Sequence, residues 1–116
     1  MRFKQISENE IEDTQTGLVW RKDFKKNMTW KEALDYAESL DDNWRLPTID
    51  ELISLINYTR RDPASDFPSM PATGFWSSTP VVDTAISAWR AHFFSGHIDY
   101  DYKTNTYDVR CVRDKE

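Results

Sequence analysis

Cysteine is almost missing from this chain: Cys111 is the single one among 116 residues, beside only three glycines and five prolines. One cysteine excludes a disulfide-stapled scaffold, and so few glycines exclude a collagen-like or low-complexity chain. No apolar run approaches the roughly 20 residues that a membrane-spanning helix needs. The opening Met1-Arg2-Phe3-Lys4-Gln5-Ile6-Ser7-Glu8 has none of the apolar stretch that a secretory signal carries. As written, the chain is expected to be soluble and cytoplasmic, with display on a cell surface or virion as the alternative. Positive charge is short as well, with fifteen Lys+Arg against twenty Asp+Glu and a formal charge of -5. Nucleic-acid binding draws most of its affinity from basic patches that neutralise phosphates, and this balance argues against it. The runs Arg21-Lys22-Asp23-Phe24-Lys25-Lys26 and Arg60-Arg61 are short, fall in expected connections and read as solvated faces. An acidic surface suits a basic protein partner, through steering more than affinity.

What the chain does have is aromatic bulk. Five Trp, five Tyr and six Phe make up 14% of it, within an apolar fraction of 39%. That excludes a disordered chain, which lacks the side chains needed to offset ordering entropy. The length suits one domain spanning residues 1–116, able to bury roughly 65% of its unfolded surface. No internal repeat breaks it up.

Local signals place the elements. Ile11 to Trp20 reads as two short strands around a turn, with Asp13 and Thr14 bonding nearby backbone and Gly17 free to take a positive φ. Thr29 and Glu32 form a capping box ahead of Trp30, Ala33, Leu34, Ala37 and Leu40 at helical spacing. Met28 is placed to staple against Ala33, and Asp41-Asp42-Asn43 stops the helix. Thr48 and Glu51 repeat the device after Pro47, with Ile49, Leu52, Ile53 and Ile56 as the expected buried stripe. Each cap contributes about 0.5–2 kcal/mol. Prolines at 63, 68 and 71 then make a long connection, since they sustain neither a helix nor a central strand. Beyond Gly74 the pattern turns to β: Phe75 to Thr79, a hairpin of Ala88–Phe94 and His97–Tyr102 turning at Ser95-Gly96, and a last strand from Tyr107 to Arg113. Strands, two helices and an antiparallel sheet make an α+β domain.

These segments also carry a family signature. Asp13-Thr14-Gln15-Thr16-Gly17-Leu18-Val19-Trp20 opens it, followed by Thr29-Trp30 through Ala33, Asn43-Trp44-Arg45-Leu46-Pro47-Thr48 and Glu51-Leu52. Phe75-Trp76-Ser77-Ser78-Thr79, Ala88-Trp89, Phe94-Ser95-Gly96 and Val109-Arg110-Cys111-Val112-Arg113 complete it. Together they resemble the Lcl C-terminal domain family, named for the C-terminal module of a Legionella collagen-like adhesin, over about residues 11–113. The resemblance implies a C-type-lectin-like fold: two helices, a small twisted, mostly antiparallel sheet, and termini that meet as paired strands. Trp20, Trp30, Trp44, Trp76, Trp89, Arg45, Pro47, Arg110 and Cys111 then read as structural, with Arg45 held by carbonyls or a carboxylate. Members look like display or adhesion modules, and the namesake binds sulfated polysaccharide. A chain at -5 lacks the basic surface for that ligand, which is not carried over. Family members commonly carry a first-helix cysteine that looks able to pair with the one in the R-C-V-R strand. Here that position is Ala37, so Cys111 is left as a small core residue between Val109 and Val112.

Sites of chemistry are thin. A nucleophilic site needs Cys111 or a serine beside His92 or His97, and nothing in the pattern assembles one. The fold that the resemblance implies also hosts formylglycine-generating oxidases, but those use paired cysteines. Asp99, Asp101, Asp108 and Asn105 are oxygen donors of the kind calcium prefers. The sugar-binding calcium motifs of C-type lectins are absent, however, and two histidines five apart make no zinc signature. No cofactor and no metal are expected. What is left is a binding face. Alternation along the hairpin puts Trp89, Ala91 and Phe93 with Ile98, Tyr100 and Tyr102 on a core side. Arg90, His92, Phe94, Asp99 and Asp101 then share the outer one.

The expected function is a non-catalytic recognition module. Arg90, His92, Asp99, Asp101, Lys103 and Asn105, with the loop from Arg60 to Thr73, would engage a protein or glycan. A small acidic protein masking a basic partner, as an inhibitor or immunity factor does, is the alternative. An enzyme is kept only because the fold can host one. Oligomeric state stays open, monomer or small homo-oligomer, since no heptads or Gly-X-Y repeats impose one.

Overall fold

A computed structural model describes residues 1–40 and 42–115. Among them lie nine strands and two helices: β1 (Phe3–Ser7), β2 (Glu10–Asp13), β3 (Leu18–Arg21), β4 (Lys25–Met28), α1 (Trp30–Ser39), α2 (Ile49–Ile53), β5 (Gly74–Pro80), β6 (Ser87–His92), β7 (His97–Tyr102), β8 (Tyr107–Val109) and β9 (Val112–Asp114). The strands make two sheets, one in the order β1-β2-β3-β9 and one in the order β4-β8-β5-β6-β7. Every pairing is antiparallel except β5 with β8, where Phe75 sits opposite Asp108. The C-terminal strand pairs with β3, so both ends of the chain meet in one sheet. The α+β expectation holds. Neither helix is long and apolar enough to cross a membrane.

Both capping boxes form as expected. Thr29 accepts from the Glu32 amide while the Glu32 carboxylate accepts from the Thr29 amide, and Thr48 with Glu51 does the same. After α1 the chain turns through positive φ at Asp42 and Asn43, the left-handed conformation these residues tolerate. Asp41, named in the stop signal, lies outside the described residues.

Two hydrophobic cores share the strands. Alternation sends Trp20 and Phe75 into one core with Leu52, Leu55, Phe67, Met70, Ala91, Phe93 and Val112. Their sequence neighbours Val19 and Trp76 enter the other, with Ala33, Ala37, Trp44, Leu46, Ala88, Val109 and Cys111. Thus β3 and β5 are covered on both faces, α2 on one side and α1 on the other. Ala37 and Cys111 sit in the same core.

Each position of the W-S-S-T run makes a specific hydrogen bond. Trp76 donates Nε1 to the Met28 carbonyl at 2.9 Å, and Ser77 offers its carbonyl to Trp30 Nε1 at 2.8 Å. The Ser78 amide reaches the Pro47 carbonyl at 2.7 Å, and Thr79 Oγ1 accepts from the first α2 amide, Ile49, at 3.0 Å. One strand therefore positions the start of both helices. Arg45 is held as expected by a carboxylate, with Glu51 bidentate at 2.6 and 2.7 Å.

Several expectations are corrected. β1 and β4 have no apolar alternation to announce them: β1 buries only Phe3, and β4 buries none of its residues fully. In the run from Arg21 to Lys26, Arg21 ends β3 and Lys25 begins β4, so the connection is residues 22–24 alone, while Lys22, Lys25 and Lys26 are exposed as expected. The segment from Tyr107 to Arg113 is two strands in two sheets, broken at Arg110 and Cys111 where the chain crosses between them. The hairpin closes over four residues, Phe93 to Gly96, because Phe93 drops into the core and His92 pairs with His97. On α2 the buried residues are Leu52 and the following Leu55, while Ile53 is 38% exposed, since the helix ends after five residues. The proline-rich loop is core as much as surface: Ala64, Phe67 and Met70 are buried, and Ser65 donates its hydroxyl to the Leu55 carbonyl.

Arg110 is the least expected core residue, 2% exposed. Its guanidinium stacks 4.6 Å from the Phe67 ring, 5.3 Å from Phe24 and 6.0 Å from Phe75. Nη1 donates to the carbonyls of Arg21 at 2.7 Å and Lys22 at 2.6 Å. Removing this side chain takes the donor from the Arg21 and Lys22 carbonyls and opens the aromatic cage. Arg110→Ala is expected to cost about 3–5 kcal/mol and Arg110→Lys, which keeps the charge but not the planar stack, about 2 kcal/mol. Equilibrium denaturation checks both, and an unchanged midpoint for Arg110→Ala would refute the reading.

Candidate functional site

The outer hairpin is where the sequence placed the site. Its register runs Ser87 opposite Tyr102, Ala88 opposite Asp101, Trp89 opposite Tyr100, Arg90 opposite Asp99, Ala91 opposite Ile98 and His92 opposite His97. Two faces result, as alternation requires.

On the polar face three of the six named residues, Arg90, Asp101 and Asn105, join one network, organised by Tyr107, which was not named. Tyr107 on β8 lies under the Arg90 guanidinium at 4.7 Å and donates its hydroxyl to Asp101 Oδ2. Asn105 donates to Asp101 Oδ1 at 2.9 Å. Gly74 makes room for that ring: a Cβ there would come within 2.8 Å of Tyr107 and 3.4 Å of His92. Asp99 lies 3.4 Å from His97 Nε2 and makes no ion pair with Arg90, its cross-strand partner. Cross-strand charge pairing is therefore replaced by a stack on tyrosine. Lys103 leaves the row, placing its ammonium 4.3 Å over the Trp30 ring and donating to the Ala85 carbonyl at 2.7 Å.

Electrostatics follow from these contacts. The Tyr107 hydroxyl, ahead of Asn105 and the Tyr102 amide, holds the Asp101 carboxyl below its ordinary range. The Tyr100 amide does the same for Asp99. Burial and the Asp101 carboxylate raise the Tyr107 phenol. His92 is depressed below its ordinary 6.5, by burial first and then by Arg90 and His97.

The other face departs from expectation. It is core only where Ala91 and Ile98 pack toward Phe75. Beyond them Tyr100 is 51% exposed and Tyr102 57%, with Trp89 edge-on to Tyr100 at 5.4 Å. Tyr58, 67% exposed, lies against the hairpin turn, where a Cβ on Gly96 (φ +85°) would come within 2.7 Å of its ring. Tyrosine where a core strand would carry Val or Ile is the signal that marks this face as open, and alternation alone does not read it.

The rest of the expected constellations stay apart. The loop from Arg60 to Thr73 ties itself down: Arg60 pairs with Asp66 at 2.7 Å, and Arg61 stacks 5.2 Å from Phe94. Among the described residues no three His, Cys, Asp or Glu side chains gather as a metal site would require. Cys111 is buried in the second core, away from any hydrogen-bonded histidine, and burial pushes its thiol up to about 12. A separate open groove of about 420 Å³, lined by Leu34, Ala37, Trp44 and Leu46, has an apolar floor. The arginine at its rim, Arg45, is already committed to Glu51 and Asp114.

Two helices on mostly antiparallel sheets make a small α+β domain. Comparison with family models makes it particular: residues 9–113 match the Lcl C-terminal domain, and the chain belongs to that family. A search of curated proteins finds no match.

Two expectations follow from the site. Because folding lowers the proton affinity of His92, the unfolded chain takes up that proton first. Its contribution to stability is complete above about pH 6.5 and declines as pH falls below that value. Stability measured from pH 7.5 to 5 should therefore drop, and His92→Gln should flatten part of the slope; an unchanged slope contradicts the assignment. The Cys111 thiol should be silent to thiol reagents in the native protein and react fully once unfolded, as a fast native reaction would disprove.

Proposed function

We propose that this domain is a non-catalytic recognition module of C-type-lectin-like build, engaging a protein or glycan ligand through the outer β6–β7 hairpin. One observation carries the reading. The hairpin ends its sheet with half-exposed Tyr100 and Tyr102 on one face and a preorganised Arg90–Tyr107–Asp101–Asn105 network on the other. Tyrosine and arginine are the side chains that binding hot spots favour, offering large contact area at low entropic cost. Tyr107 and Asn105 already hydrogen-bonded to Asp101, with Arg90 stacked on the Tyr107 ring, lower the ordering cost of binding. The family supports a recognition role of this kind. The loop between Arg60 and Thr73 enters only as a brace behind the hairpin turn.

The formal charge of -5 favours a second reading, a small acidic protein that masks a basic partner. Salt separates the two, since steered binding of a basic partner weakens steeply above about 0.15 M.

Immobilised protein, offered host proteins and surface polysaccharides in parallel, tests the hairpin. A ligand retained by the native chain should be lost by Tyr100→Ser/Tyr102→Ser at unchanged thermal stability. Equal retention by the variant would overturn the assignment to this hairpin.

A further inference from the structure

The hairpin's outermost strand has a property that its side chains alone do not reveal. β7 is last in the order of its sheet, six residues long, and runs in unbroken register with β6. A regular edge strand exposes backbone donors and acceptors to any further strand. On this edge two amides are already engaged locally. The Tyr100 amide donates to Asp99 Oδ1 at 2.7 Å, and the Tyr102 amide donates to Asp101 Oδ1 at 2.8 Å. Those amides therefore point away from β6, each satisfied by the carboxylate of the residue before it.

We propose that the β7 edge is a strand-addition site for an extended peptide segment carrying Lys or Arg at alternate positions. This deepens the recognition reading given above and rests on it. The argument is one of complementarity. An added strand brings carbonyls for the Tyr100 and Tyr102 amides, so it displaces the two carboxylates from their caps. Asp99 is then freed and Asp101 keeps only Tyr107 and Asn105; the two carboxylates stand two residues apart on one face, and the residues opposite them on the new strand are also two apart. Cations at those two positions meet both carboxylates. The residue between them faces the exposed Tyr100 on the aromatic side, where an apolar side chain fits. β7 itself carries no Lys or Arg to repel such a ligand.

The same charges choose between occupants. A second copy pairing antiparallel through β7 would align most residues by setting Asp99 opposite Asp101, or Asp99 opposite Asp99 and His97 opposite Asp101. Either register puts carboxylate directly against carboxylate, which destabilises a strand pair. The caps thus keep the free edge satisfied and closed to a second copy, and a strand must supply both acceptors and cations to open it. An acidic strand offers the acceptors without the cations.

The test uses the whole chain, isotope-labelled, and a capped heptapeptide of sequence Thr-Lys-Val-Lys-Val-Lys-Thr as probe. Saturable binding should shift the amide signals of Ile98, Tyr100 and Tyr102 and slow their exchange with solvent. Methylating the valine nitrogens, which removes the peptide's own donors, should abolish binding while leaving the charge intact. Replacing the lysines by glutamates should abolish it too. Asp99→Asn/Asp101→Asn, which keeps the acceptor atoms, should weaken binding about tenfold, as two exposed ion pairs would. No saturation at about 1 mM peptide, corresponding to a Kd weaker than that of most specific contacts, overturns the proposal. So does equal binding of the N-methylated peptide, which would reveal charge adsorption without strand pairing, and so do shifts confined to other elements. If the peptide fails while Tyr100→Ser/Tyr102→Ser still loses a captured ligand, strand addition falls and the recognition module stands. Loss of both removes the hairpin altogether.

Discussion

The Arg110 guanidinium is the point on which the architecture depends. It sits where the chain passes from one sheet to the other, between β8 and β9. Three rings drawn from three segments close around it: Phe24 before β4, Phe67 in the proline-rich loop and Phe75 in β5. Its donations to the Arg21 and Lys22 carbonyls fix the link that leads from β3 toward β4. Burying a charge this deeply is costly, and the guanidinium responds with a pKa drawn down to about 10 by desolvation. Weak hydration and a delocalised planar charge make arginine the cation that aromatic faces tolerate best. A lysine would present a compact, strongly hydrated charge to the same three rings.

From that clamp the rest of the fold is a problem of two-sided strands. β3 and β5 contribute alternate residues to two cores, so neither can slip in register without reversing both. Covered on both faces, β5 becomes a fixed rail, and its Ser77, Ser78 and Thr79 backbone and hydroxyl groups set where the helices begin. The exposed ion pairs are of smaller account. Lys31 with Asp35 lies at the surface, where solvent screens the pair. Buried contacts at Trp76, Arg110 and Asp13, the last held bidentate by Arg2, decide the geometry.

How much of this the sequence discloses depends on whether a feature is local. Capping boxes at Thr29 and Thr48 are local, since the four residues involved contain the whole motif, and both form as read. The hairpin strands were legible because alternation persists over six residues. β1 and β4 were not, because an edge strand can be held by backbone pairing alone: β4 gains its place from β8 and from the Asp108 carboxylate bonding the Asn27 amide. The break at Arg110 and Cys111 was hidden for another reason. Val109, Cys111 and Val112 are apolar on both sides of Arg110, and only the tertiary clamp on Arg110 shows that the strand must stop there. At the site the six named residues come largely from one face, and Arg90, Asp101 and Asn105 join one network. Tyr107, which organises them, reads in the sequence simply as part of the last strand, since its role arises from packing beside β5.

The absence of a disulfide also has a structural consequence for the hairpin. Ala37 and Cys111 share a core in which a first-helix cysteine would stand beside the C-terminal strand, so the covalent tie that resemblance to the family suggests is replaced here by packing alone. Packing of that kind fixes the base of the domain, where α1 meets β4 and β5. It reaches β7 only indirectly: that strand meets the body through β6, through Ile98 against the first core and through Asp101 bonded to Tyr107, while Tyr58 and Ile56 pack at the Gly96 turn. The hairpin is thus rigid at both its root and its turn, while its outer edge is bounded by backbone capped with its own carboxylates. A stiff support with an open margin is the arrangement in which little ordering cost falls on binding, because everything beneath the contact surface is already fixed. The polar network reinforces this from below: Tyr107 reaches Asp101 from β8 across the width of the sheet, so the last strand is braced by the strand nearest the Arg110 clamp.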